Sequence, residues 1–349
     1  MNRLADDLER IASATEWLWD DLRGQNLFIT GGTGFFGSWL VESFCYINRK
    51  LQLDAHAVLL TRSADRFRAK CPHLANDPAI VLLTGDVRNF DFPEGEFPFV
   101  IHAATEANAK QAKDEPLEML STILTGTERT FEFAASHGTR KFLFTSSGAV
   151  YGNQPSDITH IPESYLGGPD PLDPSSVYAE GKRVSEQMCS LYAKRAEIEV
   201  KIARCFAFVG PYLPLDAHFA IGNFIGDVLA KRPIHIGGDG TPRRSYLYAA
   251  DLAVWLWTML FRAPSLVPIN VGSANDLNIR ELAETIAATL APGTEIHIVG
   301  QPVPDAQPAR YVPSIDRAEQ LLGLKPMTDL QDSIRRTAAW YQHRDLLKG

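Results

Sequence analysis

Apolar residues along the chain cluster in short continuous runs set between longer amphipathic stretches. NLFIT (26–30), AHAVLLT (55–61), AIVLLTG (79–85), FVIHAAT (99–105) and KFLFTSS (141–147) are apolar at nearly every position, as strands covered on both faces are. Helical spacing occupies Gly34 to about Arg49, Leu117 to about Ser136, and a stretch ending near Lys194. Leu4, Leu8, Ile11, Trp17 and Leu22 recur at near-helical spacing, so residues 1–24 read as one amphipathic helix stopped by Gly24. Strands alternating with helices predict an α/β, doubly wound parallel sheet.

From about residue 212 the regularity weakens. Residues 231–248 are rich in Gly, Pro and Arg, and mix short strands with loops. LVPINVG (266–272), a helix from Ile279 to Leu290, EIHIV (295–299) and a C-terminal helix from about Leu330 form a smaller α/β region. The expected organisation is an N-terminal helix (1–24), a dinucleotide-binding unit (25–211) and a mainly substrate-binding region (212–349). A late strand such as LVPIN is free to return to the first sheet.

Composition narrows the function classes. The chain has 349 residues, 45% hydrophobic and 22% charged, which suits an ordinary globular protein with a sizeable core. Lys and Arg number 34 against 42 Asp and Glu, a net charge of −8, which disfavours nucleic acid or an anionic membrane as main partner. Cys45, Cys71, Cys189 and Cys205 are far apart and form no CxxC pair. Neither a disulfide framework nor a metal site is expected, and a reducing cytoplasm fits. No apolar run approaches the roughly 18 residues of a membrane span, and the N-terminus lacks signal-peptide order. A cytoplasmic location is therefore expected.

GGTGFFG places Gly31, Gly34 and Gly37 between a strand and a helix. Glycines let such a turn approach a pyrophosphate, and the helix start offers free N–H groups and a positive dipole end. The turn predicts a Rossmann dinucleotide site, with Phe35 and Phe36 in the same turn and Ala103 and Ala104 after the fourth strand as further cofactor contacts. Asp86 and Val87 follow the third strand; Asp86 suits an adenine-edge contact, or belongs to a strand-end turn. After the second strand stand Thr61, Arg62 and Ser63, with no acid to take a ribose hydroxyl. The cofactor is NAD or NADP, and Arg62 tilts the choice toward NADP unless it is a solvated loop cation.

Tyr178 and Lys182 are four apart on a helical stretch and share one face. A nearby cation lowers a tyrosine pKa from its ordinary value near 10, making the phenolate a usable base. About thirty residues upstream, KFLFT ends in Ser146, Ser147 and Gly148, where parallel strands line a ligand crevice.

GGTGFFG, GDV, IHAAT, TSSGAVYG and YAEGK, in this order, resemble the extended short-chain dehydrogenase/reductase family of nucleotide-sugar epimerases, dehydratases, decarboxylases and ketoreductases. RCFAFVGP (204–211), GNF (222–224), RSYLYAADL (244–252), NVGS (270–273) and RAEQLLGLKP (317–326) continue the resemblance over nearly the whole chain. It implies that Ser147 binds the reacting hydroxyl, that Tyr178 is the acid/base, and that Lys182 binds the nicotinamide ribose and lowers the tyrosine pKa. Asn223 and Arg244 match groups that hold a substrate diphosphate, with Arg310 a looser match. Arg244 and Arg310 read otherwise as surface or ion-paired arginines. The resemblance also implies a homodimer through the helix near 117–136 and the Tyr178 helix, which makes Phe131 and Met188 interface or core residues.

Several positions depart from the family pattern. Gly148 and Ala149 stand where 4,6-dehydratases carry Asp-Glu, and Ala149 where UDP-glucuronate decarboxylases carry glutamate. Ala207 and Ile123 replace asparagines. Glu106, after the fourth strand, is a carboxylate for the sugar or a loop residue. The expected activity is hydride transfer at carbon 4 of a nucleoside-diphosphate hexose, as 4-epimerase or 4-ketoreductase. The alternatives are a dehydratase or decarboxylase drawing its acid from elsewhere, and a dinucleotide-binding regulatory protein without turnover.

Overall fold

A computed structural model describes residues 3–104, 109–217, 219–302 and 307–345. β1 (Asn26–Thr30), β2 (His56–Thr61), β3 (Ile80–Thr84), β4 (Phe99–His102), β5 (Lys141–Ser147) and β6 (Glu199–Cys205) form one parallel sheet with the strand Pro268–Val271. From one edge the order is Pro268–Val271, β6, β5, β4, β1, β2, β3. The late strand does return to the first sheet. Strand order reverses between β1 and β4, whose C-terminal residues Thr30 and His102 are in register. In such sheets the ligand crevice opens there, beyond the strand ends.

Side chains alternate between two cores, as a pleated strand requires. Leu27, Ile29, Ala57, Leu59, Ile101, Leu143 and Ala203 pack with α1 (Ala5–Thr15), α2 (Phe35–Leu51) and the helix Ala249–Arg262. Phe28, Val100, Phe142, Phe144, Val200 and Ile202 pack with the helices Pro116–Ser136 and Val177–Ala196. A separate core joins the helices Ala220–Leu229, Ile279–Leu290 and Leu330–Asp345.

The N-terminal segment is not one helix. α1 ends at Thr15, and Glu16–Leu22 continues as a 3₁₀ helix. The Thr15 hydroxyl donates to the Ile11 carbonyl and accepts from Trp19 Nε1. Trp19 thereby packs at a tilt against Trp257 at 4.8 Å, while Trp17, expected on the apolar face, is 59% exposed. The tighter three-residue period turns Leu18, Trp19 and Leu22 inward instead. All four cysteines are reduced and buried. Among the described residues, no helix is long and apolar enough to cross a membrane.

Candidate active site

The turn between β1 and α2 is built to the closeness its glycines allow. Gly31 has φ of 72°, and a Cβ there would lie 2.3 Å from the Ala103 carbonyl oxygen. A Cβ on Gly37 would lie 2.3 Å from the Gly31 carbonyl oxygen. Gly34 donates its N–H to Gly31 at 3.1 Å and stands at the N-cap of α2, where no side chain caps the helix. The first amides of α2 are thus left for an anion, and this cradle fits a dinucleotide pyrophosphate. The Phe36 ring meets Phe208 at 5.0 Å and Phe35 packs on the cores, so what these two offer a ligand is backbone. Ala104 donates its N–H to Thr30 Oγ1 at 3.2 Å, which fixes the 103–104 segment against the turn.

Farther along the crevice, the Asp86 carboxylate accepts from the Arg88 backbone N–H at 2.9 Å, from Nε at 2.8 Å and from Nη2 at 2.9 Å. Arg88 holds this carboxyl below its ordinary range, with Arg62 adding a weaker pull. Arg62 itself is exposed. Arg88 also reaches Glu118 at 2.7 Å; its place two residues after Asp86 was the signal in the sequence. Val87 is buried, and a Cβ on Gly126 would come 2.7 Å from its Cγ1, so its side chain belongs to the core.

Ser147 closes β5, and Tyr178 and Lys182 lie in the first turns of the helix Val177–Ala196. Ser147 Oγ accepts the Ala149 N–H at 3.1 Å, and the same hydroxyl acts on the Tyr178 phenol to favour its ionised form. Lys182 donates to the Thr145 carbonyl at 2.8 Å, and its Nζ lies 5.9 Å from the centre of the Tyr178 ring. Burial pushes the Tyr178 phenol well above its usual range, against the opposing pull of the Ser147 hydroxyl. Burial, rather than Lys182, sets the direction of this shift, and it favours the protonated phenol. The same burial pushes Lys182 down to about 8. Beneath them His102 is neutral, pushed to about 3 by burial, and bonds Thr30 at 2.7 Å and Thr127 at 3.1 Å.

The substrate side holds groups the sequence did not single out. Tyr311 places its hydroxyl 3.5 Å from Ser147 Oγ, and Phe206 lies against its ring at 4.7 Å. The Arg244 guanidinium stands 5.8 Å from the Tyr311 ring centre and donates to the Arg243 carbonyl at 2.8 Å. Arg310 is paired with Asp276 at 3.5 Å, and the same carboxylate holds Arg243. Of the two expected substrate cations, only Arg244 lacks a carboxylate partner among the described residues. Asn223 is half-buried on the helix Ala220–Leu229. Glu106 lies outside the described residues. Phe131 is buried between Phe142 and Tyr192, and Met188 packs on the same core, so both are core in the single chain.

Comparison with known proteins places the chain in a family. UDP-glucuronic acid decarboxylase 6 of Arabidopsis thaliana is 31% identical over 309 residues, 88% of this chain and 86% of the plant protein. The fold is shared with UDP-N-acetylglucosamine 4-epimerase from Methanobrevibacter ruminantium, with a TM-score of 0.77 at 20% identity over 92% of this chain and 99% of that one. It is shared equally with the dTDP-glucose 4,6-dehydratase DesIV of Streptomyces venezuelae, at 0.76 and 22% identity over 93% and 98%. The model of the NAD dependent epimerase/dehydratase family matches residues 27–272, well over half of the sequence. The chain belongs to that family, and it is an enzyme that uses a nicotinamide adenine dinucleotide.

Proposed function

We propose that the enzyme transfers hydride at carbon 4 of the hexose in a nucleoside-diphosphate sugar, as a 4-epimerase or, from a 4-keto sugar, a 4-ketoreductase. One observation carries the choice of reaction. The Ser147–Tyr178–Lys182 set is intact, while the two positions after Ser147 offer no acid, and a Cβ on Gly148 would lie 2.6 Å from Phe206 Cζ. An elimination needs an acid and a base beyond those that move the carbon-4 proton.

A bound nicotinamide supplies reversible hydride acceptance. Tyr178 exchanges the proton of the carbon-4 oxygen, and Ser147 hydrogen-bonds that same oxygen. Burial favours the protonated phenol, the form needed to return a proton to the keto oxygen. Lys182 holds the ribose and Arg244 the diphosphate, with Asn223 beside it. Pairing of two copies through the helices Pro116–Ser136 and Val177–Ala196 is part of the same reading, supported by the exposed Leu117, Val184 and Leu191.

A second reading, loss of carbon dioxide from a UDP-uronate after oxidation at carbon 4, is supported by the likeness to the plant decarboxylase. A screen of UDP-, dTDP-, CDP- and GDP-sugars, with products read by mass and NMR, separates the readings. Unchanged mass with inverted carbon 4 supports the epimerase, and reduction of a keto sugar the ketoreductase. Loss of water or of carbon dioxide overturns both in favour of elimination or decarboxylation.

A further inference from the structure

Tyr311 and Ser147 are 164 positions apart in the chain. They meet because the strand Arg310–Tyr311 pairs in parallel with Arg243–Ser245 at the mouth of the crevice. The Tyr311 hydroxyl donates to the Cys205 carbonyl at 3.4 Å and lies 3.5 Å from Ser147 Oγ. Both contacts are long, as expected of one O–H shared between two acceptors. Burial pushes this phenol up to about 12, so it keeps its proton through the neutral range.

A serine hydroxyl has one proton to give and two lone pairs to fill. The Ala149 N–H fills one lone pair of Ser147. If a second donor fills the other, the serine proton is left for an oxygen placed in the crevice before it. We propose that Tyr311 is a positioning residue for Ser147: its phenol O–H occupies the second acceptor site and fixes that serine as a donor to the reacting sugar oxygen. The inference rests on the hydride-transfer reading above. A serine committed to donating polarises the keto group during reduction and draws charge from the oxygen as it loses its proton. Tyr178 is then left as the hydroxyl that exchanges the proton. Tyr311 forms and breaks no bond.

Tyr311→Phe keeps the ring against Phe206 and removes the hydroxyl. With full-length, NAD-loaded enzyme on the nucleotide sugar it converts, kcat should fall about 2- to 10-fold, the worth of one neutral hydrogen bond, with KM nearly unchanged. Ser147→Ala alone should fall further, and adding Tyr311→Phe to it should cost nothing more, because the phenol acts through that hydroxyl. Multiplicative losses in the double variant, an unchanged kcat, or a rise in KM alone would overturn the inference. Loss of the folded, NAD-binding state in Tyr311→Phe would assign the phenol to the fold and overturn it too. A parent enzyme that converts no nucleotide sugar overturns both readings, whereas a converting parent with multiplicative losses overturns this one alone.

Discussion

Glu42, buried in the third turn of α2, shares a 2.8 Å hydrogen bond with the ring of His73. Tyr212 donates to the same carboxylate, and Lys70 reaches from beside His73 to the Thr33 carbonyl in the cofactor turn at 3.4 Å. Glu42 raises the His73 pKa above its ordinary 6.5. A raised histidine stabilises the folded state fully below its unfolded value, and that contribution is lost as pH rises through the folded one. The His73 side chain is 55% exposed, so the pair is worth a few tenths to ~1 kcal/mol. Parent enzyme should therefore lose slightly more thermal stability than His73→Gln as pH rises from about 6.5. Melting curves of the two proteins that stay parallel across this rise would remove the pair from the stability of the turn.

Tyr178→Phe should lower turnover by about 10²–10⁴-fold, the usual worth of a positioned proton donor. Its binding of NAD should stay close to parental, since the ring remains. Fluorescence titration of the dinucleotide alongside steady-state rates checks both halves. Rates equal to the parent would hand the proton to another group.

Arg62 is exposed at the tip of β2, beside the rim where Arg88 grips Asp86. If Arg62 meets a ribose 2′-phosphate, Arg62→Ala should weaken NADP about tenfold or more and leave NAD unchanged, as befits one charged hydrogen bond. Isothermal titration with both dinucleotides decides the matter. Equal losses for the two, or none, would make Arg62 a solvated cation and NAD the working cofactor.

Arg244→Ala should weaken a nucleoside diphosphate about 10- to 100-fold, whereas Arg310→Ala should cost less than about threefold. The difference follows from Asp276, which already pairs with Arg310 and has no counterpart at Arg244 among the described residues. Competition by UDP and dTDP against the two variants measures it. The reverse ranking would show that Asp276 releases Arg310 when ligand arrives.

Gly148→Asp should not create a dehydratase. The new Cβ would stand 2.6 to 2.8 Å from three atoms of the Phe206 ring, so the ring must shift, at a cost of about 1–3 kcal/mol. The expected result is a lower melting temperature with no loss of water from dTDP-glucose. A stable variant that releases water would mean Phe206 is readily displaced.

The sheet was legible because its strands are buried on both faces and so carry continuous apolar runs. NLFIT and KFLFTSS coincide with β1 and β5 residue for residue. The placement of Ser147 at a strand end and of Tyr178 and Lys182 on one helical face was legible because both are local patterns, while the roles given to them come from the family resemblance. The break after Thr15 was not, since it depends on Trp19 finding Trp257 more than 200 residues away. Tyr311 was hidden for the same reason, since a two-residue strand carries no periodicity and only its partner strand places it, and Phe206, just past the end of β6, meets Tyr311 and Tyr151 from distant segments. Arg244 and Arg310 look alike in sequence, and the carboxylate that distinguishes them, Asp276, comes from a third strand.

The return of Pro268–Val271 to the edge of β6 governs how the molecule could be cut. A fragment ending near residue 211 would expose the outer backbone edge of β6, an open template for pairing with other chains. It would also lose the helix Ala249–Arg262, thirteen of whose residues are buried, and Asn270, whose amide ties the carbonyls of Ile161 and Ser314. The complementary fragment would carry that apolar helix with nothing to lie on. Split-gene expression at this boundary should therefore yield two insoluble halves that recover the enzyme only when made together. Such an outcome would mean that segments which read as successive along the chain fold as one cooperative body.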